Sequence, residues 1–493
     1  MYILSIDQST AGTKATIFDE KGRLLHRATE YHKQYYPKLG WVEHDAKEIL
    51  KQTAKSVKRV LSESHIEKNK ILAVSITNQR ETTVMWDRKN GNPVYRAIVW
   101  QCQRGKEFCD RVKNQGIEKT IKSKTGLLVD PYFSASKVKW ILDNINDVRE
   151  EAQRGNVLFG TIDSWLIWNL TNGAVHATDV SNASRTMLYN IRKLEWDKEI
   201  LEIFTVPFSI LPEVRPSDGI FGYTNLFGIM EKEIPITGVM GDSNAALFGH
   251  GCFEELETKA TYGTGTSVML NLGNKLIVTE SPIVTSIAWT ADNKTVYALE
   301  GNIHCTGDTI RWLIDELQII NNPEETEELA KSIPDNEGVY FVPAFVGLGA
   351  PYWDNEARAL ISGMSRSANK AHIVRAALES IAYQVKDLFE TMIEVPKDKP
   401  DCLKVDGGAT ENSFLMQFQA DILGVPVFVS EIREISARGA ALLSLLRTGV
   451  FSSLKEIKDV IGFEKKYEPS ITEEMRNTYY QGWKRAVRKV FCE

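Results

Sequence analysis

Two segments carry the residue types that holding a phosphate requires. Asp7-Gln8-Ser9-Thr10-Ala11-Gly12-Thr13-Lys14 and Gly263-Thr264-Gly265-Thr266-Ser267 are rich in small residues, which let backbone N–H groups approach an anion. In the first, Thr10 and Thr13 offer hydroxyls, Lys14 a cation, and Asp7, ending a strand-like run, a carboxylate suited to Mg²⁺ held through water. Alone, each segment reads more readily as a hairpin turn. Their occurrence as a pair favours the phosphate reading. Gly407-Gly408 closes a further strand ahead of a helix that starts near Ser413, so the backbone there can approach a flat adenine ring, with Asn412 free for its polar edge. A plain strand-to-helix turn has the same sequence. No GxxxxGK[ST] and no helix-opening GxGxxG after the first strand occur, which disfavours a P-loop or Rossmann site.

Acid-base and hydroxyl-binding groups stand elsewhere. Ile236 to Gly241 runs as a strand into Asp242, where a carboxylate in a cleft can take a proton from a hydroxyl attacking phosphorus. A helix start capped by Asp242 or Ser243 is an equal reading. Asn78-Gln79-Arg80-Glu81-Thr82-Thr83 interrupts two strand-like runs with more hydrogen-bonding side chains than a turn needs. The planar fork of Arg80 beside the acceptor Glu81 suits adjacent hydroxyls, or else the two form an exposed ion pair. Trp100 and Tyr132 offer an apolar wall for a carbon chain, although core packing is the commoner use of aromatics.

The elements that position these groups alternate between strand and helix. Ile3 to Asp7, a polar turn, Lys14 to Asp19 and Leu24 to His26 read as strands, Ala46 to Ser62 as an amphipathic helix, and Ile71 to Thr77 as a strand. Thr258 to Leu272 repeats the grammar of the opening hairpin, followed by a long helix over Lys370 to Met392 and the strand Leu403 to Asp406. This is an α/β pattern in two similar halves that meet near residue 250 around a cleft. The 493 residues suit two domains, and a net charge of -6 argues against a nucleic-acid partner. Cys102, Cys109, Cys252, Cys305, Cys402 and Cys492 form no CxxC pair, so neither zinc nor a disulfide framework is expected and a reducing cytoplasm fits. No apolar run approaches the roughly 20 residues that span a bilayer, and the basic C-terminal stretch Trp483 to Val490 reads as a surface helix packed on Trp483, Val487 and Val490.

Together these segments resemble the glycerol kinases of the sugar and polyol kinase (FGGY) family. The resemblance runs nearly end to end, through Gly40 to Asp45, Thr77 to Thr83, Ala97 to Cys102, Asp130 to Ser134, Asn182 to Leu188, Pro343 to Trp353 and Val405 to Gly408. It implies two actin-like (ribonuclease H-like) ATPase domains, 1–250 and 251–493, flanking a central cleft. The implied reaction is ATP-dependent phosphorylation of glycerol to sn-glycerol 3-phosphate. The implied nucleotide contacts are Thr10, Ala11, Gly12, Lys14, Thr264, Gly307, Arg311, Gly408 and Asn412. Arg80, Glu81, Trp100, Tyr132, Asp242, Ser243 and Ser267 would line the acceptor site, with Asp242 as base and, with Asp7, as the water-mediated Mg²⁺ site. A cytoplasmic homodimer or homotetramer with no stable membrane association is the expected state.

Three departures from that family's pattern bear on the acceptor. Ser243 and Asn244 stand where two glutamines are usual, Ser267 where an aromatic is usual, and Lys14 in place of an arginine, which keeps charge but loses the fork. A pocket that is larger and more polar makes a longer polyol (erythritol, threitol) or a pentulose a competing acceptor.

Overall fold

The computed structural model describes residues 1–354 and 356–491, so Cys492 lies outside the described residues. The other five cysteines are free thiols. The first sheet holds β1 (Tyr2–Gln8), β2 (Gly12–Asp19), β3 (Leu24–Tyr31), β4 (Ile71–Asn78), β5 (Ile220–Thr224) and β6 (Ile234–Gly241), in the order β5-β6-β4-β1-β2-β3. β1 to β3 form an antiparallel meander, while β4 and β6 run parallel to β1.

The second sheet repeats this plan. It contains β7 (Thr258–Tyr262), β8 (Thr266–Asn271), β9 (Val284–Ala291), β10 (Lys294–Ile303), β11 (Leu403–Asp406), β12 (Val427–Ser430) and β13 (Phe463–Tyr467), in the order β9-β10-β8-β7-β11-β12-β13. Antiparallel β7, β8 and β10 correspond to β1, β2 and β3, parallel β11 and β12 to β4 and β6, and antiparallel β13 to β5. The duplication expected from the two hairpins thus extends to every strand of the first sheet.

Helices cover both faces. Among them are α1 (Ala46–Glu63), α2 (Asp242–Gly249), α3 (Gly307–Asp315), α4 (Lys370–Ile393), α5 (Ser413–Leu423), α6 (Ile435–Arg447) and α7 (Glu473–Arg488). Asp45 caps α1 by accepting from the N–H groups of Lys47 (2.9 Å) and Glu48 (3.3 Å). Because β1 is covered on both sides, apolar residues lie on both its faces: Leu4 and Ile6 join Ile49 and Val57 of α1, and Ile3 joins Ala437 and Ala441 of α6, where Ser5 donates to the Ala437 carbonyl at 3.0 Å. At the C-terminus, Trp483 and Val487 of α7 are buried and the Trp483 indole N–H donates to Asp387 at 2.7 Å, so the basic stretch is a packed surface helix. No helix among the described residues is long and apolar enough to cross a membrane.

The two halves meet along α2 and α6. α2 follows the first sheet and α6 the second, yet α6 packs on β1, β4 and β6. Their backbones touch: a Cβ on Gly439 would sit 1.8 Å from the Ala245 carbonyl oxygen, and one on Gly249 would sit 2.4 Å from that of Ile435. Gly439→Ala is therefore expected to force the helices apart and to cost about 1–3 kcal/mol, read as a lower denaturant midpoint. An unchanged midpoint would show that the helices can separate freely.

Candidate active site

Parallel neighbours β1, β4 and β6 end at one edge of the first sheet, in register at Asp7 with Thr77 and at Asn78 with Gly241. The edge therefore delivers three segments side by side: the turn after Asp7, the Asn78 to Thr83 segment, and Asp242. Strands about 4.8 Å apart put the Asp7 and Asp242 backbones about 10 Å apart, on either side of Arg80.

Asp242 is the first residue of α2, whose cap is Gly241 with no side-chain capping bond, which corrects the capping alternative. Its Oδ1 instead accepts from the Ser243 N–H at 2.7 Å and faces Arg80 Nε at 3.1 Å. The carboxylate remains 39% exposed, with Ser243 half-buried beside it. Gly241 makes the approach possible, since a Cβ there would lie 2.5 Å from Arg80 Cδ.

The expected partnership of Arg80 with Glu81 gives way to a larger network. Both terminal nitrogens of Arg80 donate to Glu300, at 2.8 and 2.6 Å, and the second carboxylate oxygen of Glu300 also faces Arg185 at 3.1 Å. Glu81 adopts a left-handed backbone (φ 61) and accepts from Arg185 Nε at 2.6 Å. A non-glycine residue held there stores strain of about 1–3 kcal/mol, a common mark of functional sites. Burial pushes the Glu300 carboxyl up, but Arg185 and Arg80 outweigh it and hold the group down at about 2. Glu81 is raised by burial, with Arg185 and Arg80 only partly offsetting. Sequence reading missed Glu300 and Arg185; the available signal was a carboxylate inside the apolar run Tyr297-Ala298-Leu299.

Trp100 and Tyr132 come together. The Trp100 and Tyr132 rings lie 5.4 Å apart, and the Trp100 indole N–H donates to Thr10 Oγ1 at 3.0 Å, joining the wall to the first small-residue loop. In that loop Ala11 is exposed, Gly12 is buried against the Glu30 carbonyl, and the Ser9 N–H donates to the Gly12 carbonyl at 2.9 Å. Lys14 Nζ lies 3.8 Å from Asp7 and 2.7 Å from Glu434, which also pairs with Arg27.

The second sheet contributes its own edge, because parallel β7 and β11 are in register at Thr261 and Asp406. Gly263 and Thr264 are exposed, Gly265 is pinned by the Ile303 carbonyl (2.3 Å from a Cβ), and the Gly307 N–H at the start of α3 donates to the Gly263 carbonyl at 3.1 Å. Arg311 is exposed one turn further on. Gly407 has φ 102, with the Tyr262 carbonyl 2.1 Å from where a Cβ would be, whereas Gly408 is exposed and open. Asn412 is already engaged: Oδ1 caps α5 at the Leu415 N–H (2.9 Å) and Nδ2 donates to Thr326 (3.0 Å). Its amide is thus less free for a base edge than its sequence suggests.

Among the described residues no group of three or more His, Cys, Asp or Glu side chains forms a metal cluster. Asp7 and Asp242 nevertheless suit Mg²⁺, which takes one or two carboxylates and fills its shell with phosphate oxygens and water. Burial pushes Asp7 up to about 6 against the pull of Lys14, with Glu434 and Asp242 adding to the rise. A buried carboxylate under that stress is stabilised by a nearby cation.

Residues 2–249 match the N-terminal domain and 258–447 the C-terminal domain of the FGGY family of carbohydrate kinases. The chain is 58% identical over 493 residues to glycerol kinase 1 of Thermotoga maritima, covering 100% of both chains. The crystal structure of Plasmodium falciparum glycerol kinase with ADP superposes with a TM-score of 0.94 at 35% identity, over 100% of this chain and 98% of that one. A ligand-bound xylulose kinase from Lactobacillus acidophilus shares the fold, with a TM-score of 0.90 at 22% identity over 99% and 97% of the two chains. The two-domain α/β fold is theirs, and this chain belongs to the FGGY family of carbohydrate kinases.

Proposed function

We propose that this kinase transfers the γ-phosphoryl group of ATP to a terminal hydroxyl of glycerol, giving sn-glycerol 3-phosphate. The observation that carries the reading is Asp242: a 39% exposed carboxylate facing Arg80 at 3.1 Å, at the sheet end that also delivers the small-residue turn after Asp7. Asp242 takes the hydroxyl proton as that oxygen bonds to phosphorus and the bond from phosphorus to the ADP oxygen breaks. Thr10, Lys14, Thr264 and the N–H groups near Ala11 and Gly12 receive the phosphate oxygens. Asp7 and Asp242 would hold Mg²⁺ through water, and the ion supplies neutralisation of phosphate charge when bound. Arg80, Glu81, Trp100, Tyr132, Ser243 and Ser267 shape the acceptor site, while Gly307, Arg311, Gly408 and Asn412 border the nucleotide.

The open face of Gly408 supports the nucleotide assignment. Because nothing lies within 4 Å of a Cβ there, Gly408→Leu is expected to leave the melting temperature unchanged and to raise KM for ATP by about tenfold or more. Unaltered ATP affinity would move the adenine elsewhere. The units 1–250 and 251–493 are proposed as the two bodies that close, in a cytoplasmic homodimer or homotetramer whose size light scattering measures.

A second reading keeps the chemistry and lengthens the acceptor; the small side chains at Ser243, Asn244 and Ser267 favour it. Coupled assays with glycerol, erythritol, threitol and a pentulose decide between the two. Turnover of a longer polyol with none on glycerol would overturn the glycerol assignment.

A further inference from the structure

Lys259 is a fully buried cation that the reaction above does not use. It sits on β7, on the face that also carries Thr261, Ser267, Asn302 and Glu300, since Thr261 opposes Ser267, Ser267 opposes Asn302, and Glu300 is two residues from Asn302. Among the described residues no carboxylate lies within 4.0 Å of its Nζ. Its partners are Thr261 Oγ1 at 3.1 Å and the carbonyl and hydroxyl oxygens of Ser267, both at 3.4 Å.

An ammonium group only donates, so both hydroxyls must accept from it and turn their own protons elsewhere. Thr261 sends its proton to Asp406 at 2.7 Å. Ser267 has no such acceptor among the described residues, and its half-buried side chain is left as a hydroxyl donor. Across the ladder, Asn302 Nδ2 donates to Glu300 Oε1 at 3.2 Å; because a carboxylate only accepts, the amide is oriented with its oxygen left as an acceptor. The same Glu300 oxygen bonds Arg80, which faces Asp242. A donor and an acceptor thus stand side by side, one network away from the proposed base. Burial lowers Lys259 to about 8 against the pull of Asp406 and Glu300, so the cation persists at neutral pH.

A lone donor beside a lone acceptor is the complement of one alcohol group, which both gives and takes a hydrogen bond. We infer that Ser267, oriented by Lys259, and Asn302 form a subsite for a hydroxyl on a fourth carbon of an acyclic polyol. The inference rests on the Asp242 phosphotransfer reading and extends it: glycerol fills the part near Asp242 and Arg80 and leaves this pair to water, whereas a tetritol fills both.

The test compares kcat/KM for glycerol, erythritol and threitol in the full-length protein and in Ser267→Ala and Lys259→Met. At least one tetritol is expected to turn over in the parent alongside glycerol. Each variant should lower the tetritol-to-glycerol ratio by about tenfold, the loss of one specific hydrogen bond. Thermal melts identify any variant that fails to fold, in which case the other decides. Turnover of neither tetritol, or a ratio unmoved in a folded variant, overturns the subsite and leaves polyol phosphorylation standing. Absence of turnover on every polyol, with ATP still bound, instead sinks the phosphotransfer reading and the subsite together.

Discussion

Asp242→Asn is expected to lower kcat by about 10²–10⁴, the usual worth of a positioned general base. The substitution is nearly isosteric, and its amide oxygen can still face Arg80 Nε, at 3.1 Å in the parent, and accept from the Ser243 N–H, at 2.7 Å. What disappears is the capacity to take a proton while the acceptor oxygen attacks phosphorus. Nucleotide affinity, titrated without acceptor and without Mg²⁺, should stay nearly constant, because the proposed phosphate contacts come from Thr10, Lys14, Thr264 and loop N–H groups. The melting temperature should move little, since the carboxylate is 39% exposed and is not the cap of α2. Near-normal turnover in a folded protein would remove Asp242 from the mechanism.

The features legible in the sequence share one property: each is written in a short window. The hairpin β1–β2, helix α1, the strand running into Asp242 and the second hairpin at Thr258 all follow from periodicity and turn residues within a few positions. The duplicated topology is legible for the same reason, as similar local grammar twice over. What escaped is held together by the fold. Glu300 reaches Arg80 across 220 positions, and Glu434 reaches Lys14 across 420, so no local pattern announces either contact. The spent amide of Asn412 was hidden because Thr326 lies 86 residues away. Lys259 looked like an ordinary strand lysine until Ser267 and Thr261 were brought against it by the β7–β8 ladder.

Glu300→Gln should be the most destabilising single change in this region. The carboxylate is fully buried and accepts from both terminal nitrogens of Arg80 while facing Arg185, two cations that are themselves 3% and 1% exposed. Removing one charge from such a cluster leaves the two buried guanidinium groups with only Glu81 and Asp242 to compensate them, a loss of about 3–5 kcal/mol. In a domain of this size that corresponds to a melting temperature lower by about 6–20 °C. The pH dependence follows from the depressed carboxyl. Its folded value of about 2 lies below the ordinary 4.5, so its contribution is complete above 4.5 and is lost as pH falls through about 2. The gap in stability between parent and Glu300→Gln should therefore be widest near neutrality and narrow progressively below pH 4.5. Because Arg80 belongs to the first half and Glu300 to a strand of the second, the same brace ties the edge bearing Asp242 to the edge bearing Ser267, so the variant should also lose turnover before it unfolds. A gap that stayed constant with pH would mean that the cluster carries no net charge interaction, and the brace would have to be sought in packing alone.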